Sequence, residues 1–149
     1  NGPIHASLEH QIENGLGFPL PTTITTNPYA PLIRDADKRV VDSVETHLEG
    51  AEKLDVGEAN VGAYWATIGT LNSVLTQIVA SKWSGKKYNT PSGELGYPNE
   101  MVRACLDAGV SVDGIPCADP SEMIGIKRIE DVTIVENYYE MRKRWAANG

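Results

Sequence analysis

The chain has 149 residues, 41% of them hydrophobic and 22% charged, which fits one soluble globular domain and excludes wholesale disorder. Its formal net charge of -7 and pI near 4.9 disfavour nucleic acid, a polyanion held mainly by Lys and Arg, and suit docking onto basic protein patches. The longest apolar stretches, such as Val61–Leu71, fall short of the roughly 20 residues that cross a bilayer, so no membrane span is expected.

In chain order, residues 1–31 hold Pro3, Pro19, Pro21, Pro28 and Pro31 with Gly2, Gly15 and Gly17. Proline removes backbone donors, so this stretch reads as an extended docking arm with a short helical turn near Leu8–Glu13. Residues 32–149 read as a single helical domain. Its first helix is expected from Asp35 to Leu48, with Val40, Val44 and Leu48 at i, i+4 and i+8, and Gly50 as its stop. A second, from about Glu58 to Thr67, is broken at Gly69; a third runs from Thr70 or Asn72 to Trp83. Together they form an αα-hairpin over residues 52–83.

Residues 84–128 are expected to be a loop insertion, because Gly85, Pro91, Gly93, Gly96 and Pro98 break regular structure. Within it, Asn99 caps a helix that closes at Gly109, and Asp119-Pro120-Ser121-Glu122 carries the signature of a capped short helix. The last helix spans residues 129–146, with Val132, Val135, Tyr138 or Tyr139, and Trp145 on one stripe. Alternating strand patterns are scarce: Val110–Val112 and Lys127–Ile129 are at best short bridges. The fold class expected is therefore all-α, with long loops.

Chemistry is hard to find in the residues. His5 and His10, five apart in a flexible stretch, would need ligands from elsewhere to make a metal site, and His47 suits a helix C-terminus. Asp35, Asp37 and Asp42 resemble Ca²⁺ ligands in type but lack the glycine-bearing loop of an EF-hand. No nucleophile elbow, phosphate-cradling loop or CxxC pair is present. Cys105 and Cys117 flank a Gly- and Pro-containing segment; such a pair forms a disulfide in an oxidising compartment and otherwise packs as small hydrophobes. The hairpin has the outline of a helix-hairpin-helix unit, yet no basic residue follows its turn until Lys82.

Glu52 to Val79 resembles the helix-hairpin-helix region of the PsbU family, small extrinsic lumenal subunits of photosystem II. The resemblance rests on Lys53-Leu54-Asp55-Val56, Ala59-Asn60-Val61, Ala63-Tyr64, the turn Gly69, and Leu75 with Ile78-Val79, preceded by Asp37-Lys38-Arg39-Val40-Val41. It departs from that family where residues 84–126 intervene before Ile129-Glu130-Asp131-Val132 and where the second turn glycine is missing. The resemblance implies a SAM-like helical fold and a non-catalytic subunit of the oxygen-evolving complex that supports its calcium and chloride requirement. It implies no bound cofactor or metal of its own. Its partners would be photosystem II core lumenal loops and other extrinsic subunits, on the lumenal membrane face of a plastid thylakoid after removal of a targeting segment. An oxidising lumen implies a Cys105–Cys117 bridge. The alternatives are a linker subunit of another photosynthetic complex, or a helix-hairpin-helix nucleic-acid binder.

Overall fold

Strand β1, Phe18–Thr26, is the middle of a three-stranded sheet. In the computed structural model, which describes residues 2–45, 52–90, 92–96, 99–126 and 128–148, it follows helix α1, Pro3–Asn14. The remaining strands are β2 (Leu32–Arg34), β3 (Val40–Ser43), β4 (Val56–Asn60) and β5 (Val112–Pro116). The helices that follow are α2 (Ile68–Lys82), α3 (Asn99–Asp107), a 3₁₀ turn at Pro120–Met123, and α4 (Ile129–Asn148). The larger sheet runs β4-β1-β5, with β4 antiparallel and β5 parallel to β1; β2 and β3 form a second, antiparallel pair. The fold is mixed α/β, which overturns the all-α expectation and the SAM-like hairpin with it.

Residues 1–31 are thus not an extended arm but a helix and the central strand. Prolines inside a central strand need a reason, since each lacks an N–H for the ladder. Pro19 and Pro21 sit at alternate positions where only acceptors are used: their carbonyls take the amides of Trp65 and Val61 at 3.1 and 3.3 Å. The opposite side of β1 pairs with β5, where Phe18 N donates to Ser111 O at 2.9 Å. Helix α1 is tied on by Trp65 Nε1, which donates to the buried Ser7 hydroxyl at 3.0 Å.

The helix expected from Asp35 is instead a turn and strand β3. Val40 and Val44 are four apart, a spacing that satisfies a period of 2 as well as 3.6, so the pattern could not choose. Local chemistry chose: Asp35 Oδ1 accepts from the amides of Asp37 and Arg39 at 3.0 and 2.9 Å, and Lys38 takes φ 66°. Val40 is then buried and Val41 exposed, as a strand requires. His47, Leu48 and Gly50 lie outside the described residues. The second expected helix, Glu58–Thr67, is strand β4 and the segment after it, so no αα-hairpin exists there.

Gly69 lies in the first turn of α2 at ordinary helical φ, and an added Cβ would meet only Thr67 Oγ1 at 3.8 Å. It is not a turn glycine. Helix α2 begins two residues before the earliest expected start because Thr67, not Thr70 or Asn72, accepts from the N3 amide at 3.0 Å. Asn99 is the first residue of α3, with its side chain bonded to Ser43 and Glu45, and Asp119 caps the 3₁₀ turn with Glu122 in a capping box.

The chain divides into two compact units, Asn1–Ala118 and Asp119–Gly149. In the first, Phe18, Leu20, Leu32, Val40, Val74, Ile78, Met101, Val102 and Cys105 form the core, with Tyr64 stacked on Phe18 at 5.3 Å. The second holds the 3₁₀ turn and α4, joined by Arg142 Nη1 donating to Glu122 Oε1 at 2.8 Å. Among the described residues no helix is long and apolar enough to cross a membrane.

Candidate functional site

Two polar clusters arise where the strands of the first unit meet. The first is centred on Arg34. At the register shift between Ile33 and Arg34 the extra residue, Val41, lies in β3, so Arg34 stands opposite a bulge of its partner strand. A guanidinium has five N–H donors, and each one here has an acceptor. Nε and Nη2 grip both Glu58 oxygens at 2.6 and 2.9 Å; Nη1 reaches Lys38 O at 2.7 Å and Asp113 Oδ1 at 2.9 Å; Nη2 also reaches Gly114 O at 2.8 Å. Thr22 Oγ1 donates to Glu58 Oε1 at 2.7 Å. Burial pushes the Glu58 carboxyl up, but the bonds from Arg34 and Thr22 outweigh it and hold it below its ordinary value. Gly114 must lack a side chain: a Cβ would stand 2.3 Å from Glu58 Oε1 and 2.6 Å from Leu32 Cδ1. This cluster pins β2, β4 and β5 together.

The second cluster lies at an open end of the same strands. The amide of Val44 donates to Pro31 O at 3.1 Å, and Pro31 bridges to Ala59 on its other side in antiparallel sense. β3 therefore runs opposite to β2, so Tyr29 and Glu45 leave at a common end. Tyr29 OH donates to Glu45 Oε1 at 2.5 Å, and Asn99 Nδ2 to Glu45 Oε2 at 3.4 Å. Asn99 is itself buried and accepts from the Ser43 hydroxyl at 2.7 Å. The Glu45 bond, with some burial and the carboxylate charge, raises the Tyr29 pKa above its ordinary value. Asn60 Oδ1 accepts from Gly62 N at 2.9 Å and fixes the turn after β4. The result is a carboxylate and a half-exposed phenol seated on the buried Asn99 and Ser43, an arrangement suited to hydrogen-bonding a polyhydroxylated ligand.

Of the residues singled out in the sequence, Asn99, expected there as a helix cap, belongs to this cluster, while Asn60 bonds Gly62 in the turn after β4. Lys53 is exposed and Asp55 O accepts from Asn27 N at 3.0 Å. Ala59 is buried in β4, Val61 is half-buried, and Tyr64, Leu75 and Ile78 line the core, with Gly69 apart from them in α2. Cys105 and Cys117 are not joined: Cys105 faces the core, where burial pushes its thiol up to about 11, while Cys117 Sγ donates to Pro3 O at 3.5 Å. His5 pairs with Glu9 at 3.2 Å, and His10 approaches Asp113 at 3.9 Å. Tyr29, Ser43 and Glu45 carried no signal, because residues 29, 45 and 99 meet only through the strand pairing and the packing of α3 on β3.

No family model matches the chain. Curated relatives named bifunctional protein GlmU do. The one from Solibacter usitatus is 30% identical over 118 residues, covering 79% of this chain and 23% of that protein. The one from Bifidobacterium longum subsp. infantis is 28% identical over 150 residues, covering 98% and 30%. The one from Thermodesulfovibrio yellowstonii is 26% identical over 123 residues, covering 81% and 25%. The chain spans less than a third of the length of these relatives. These similarities overturn the resemblance to PsbU, and with it the photosynthetic role, the photosystem II partners and the expectation of a non-catalytic protein; the linker and nucleic-acid alternatives gain nothing from them. What the chain resembles, over most of its length, is a segment of a bifunctional enzyme.

Proposed function

We propose that this chain is part of an enzyme related to the sugar nucleotidyl- and acetyltransferases, and that the end formed by Tyr29 and Glu45 holds the hydroxyl groups of an amino-sugar substrate. The observation that carries this reading is the similarity to GlmU proteins over 98% of the chain. The geometry supports it chemically. A sugar ring offers adjacent donors and acceptors, and a carboxylate accepts from two such hydroxyls while a phenol can both donate and accept. Asn99 and Ser43 hold Glu45 from below, so the carboxylate is oriented before the ligand arrives, which reduces the entropic cost of binding.

Isotope-labelled protein titrated with glucosamine 1-phosphate, with inorganic phosphate and UDP as separate controls, tests the reading. Amide shifts at Tyr29, Ala30, Val44, Glu45 and Asn99 are expected with the sugar phosphate and not with phosphate alone. Glu45→Gln should remove them while the rest of the spectrum stays unchanged. Shifts confined to other surfaces, or none as the sugar reaches about 10 mM, where binding as weak as about 1 mM is visible, would overturn it.

A further inference from the structure

Helix α4 carries large apolar side chains that its own unit does not cover. Ile134, Tyr138, Met141 and Trp145 are 46%, 37%, 45% and 74% exposed. Their spacing of 4, 3 and 4 residues is that of a coiled-coil seam, and at 100° per residue the four fall within about 60° of one another. Tyr138, Met141 and Trp145 also line a hollow of about 370 Å³. A seam this narrow fits one helix.

We propose that the seam is covered by α4 of a second copy, packed antiparallel about a two-fold axis. The charges choose both the partner and its direction. The first turn of α4 is acidic, with Glu130 and Asp131, and Arg144 stands near its other end. Antiparallel pairing sets Ile134 against Trp145 and Tyr138 against Met141 of the second copy. It brings each Glu130 within side-chain reach of the other copy's Arg144, and opposes the two helix dipoles. Parallel pairing would set acid against acid and base against base. A helix whose two ends carry opposite charge beside one apolar seam is complementary to itself.

Sedimentation velocity on the full chain over a concentration series tests this. The expected species has twice the 16.2 kDa chain mass and dissociates on dilution. Met141→Glu and, independently, the more exposed Trp145→Glu should give monomers at concentrations where the unmodified chain is dimeric, with helical circular dichroism retained as a check on folding. Arg144→Glu should weaken the dimer at least tenfold, and adding Glu130→Arg to it should restore association. A chain that stays monomeric at its highest soluble concentration would overturn the proposal, whether α4 is then bare or meets another protein. So would a dimer indifferent to both apolar substitutions, or a charge exchange that fails to restore what the single change lost.

Discussion

Glu58 and Glu45 are both carboxylates with each oxygen hydrogen-bonded, at opposite ends of the strands β2 to β4, yet they do different work. Glu58 is 11% exposed and faces a guanidinium whose donors are all engaged. Glu45 is half-buried beside a phenol that is 46% exposed, and Tyr29 and Asn99 donate to its two oxygens. A charge held by an opposite charge out of water is difficult to move and serves the fold. A charge held by neutral donors at an open end can exchange them for a ligand's hydroxyls. Burial and partner, rather than residue type, separate the structural carboxylate from the candidate functional one.

The strongest way to break this contrast is to crowd the first cluster. Gly114→Ala should destabilise the protein by about 3 kcal/mol, because the new methyl overlaps Glu58 and Leu32 and forces Arg34 out of place. A denaturant titration reads this directly, and an unchanged midpoint would mean the cluster is looser than its distances. Arg34→Met should cost about 2–3 kcal/mol at neutral pH, since it leaves a largely buried carboxylate without its cation. It should also change the acid limb. The Glu58 pKa is depressed in the folded state, so its contribution is complete above the ordinary value of 4.5 and is lost as pH falls through the lower folded value. Removing Arg34 should flatten that loss, which thermal melts between neutral and acid pH will report.

Smaller effects sharpen the other side. Asn99→Ala should cost about 1–2 kcal/mol, because it leaves the buried Ser43 hydroxyl without its acceptor and Glu45 without one support. Glu45→Gln should change stability by no more than about 0.5 kcal/mol, as expected near the surface. Its signature is spectroscopic: the Tyr29 phenol, raised chiefly by its bond to Glu45, should titrate closer to the ordinary value of 10.0. If Glu45→Gln instead destabilised the fold as much as Arg34→Met, the open end would be structural too.

Helix boundaries were legible wherever a side chain does the capping itself. The Asp119-to-Glu122 box forms as its spacing requires, because the partners of this cap lie two or three residues away in the chain. Helix α2 was legible within a turn for the same reason. Strand β3 was not, since valines four apart fit either period and the Asp35 turn that decided the matter closes over a few backbone amides. Strand β1 was hidden by its prolines, which are tolerated only because Trp65 and Val61 approach the side of the strand that needs acceptors. The Glu45 end was invisible for a stronger version of that reason. Nothing local links Tyr29, Ser43, Glu45 and Asn99; the pairing of β2 with β3 and the packing of α3 on β3 bring their chains together. Sequence alone determined the contacts that a few neighbouring residues can make among themselves. Tertiary structure decided every polar cluster whose members are held by strands from distant parts of the chain, because only the packed sheet sets their distances.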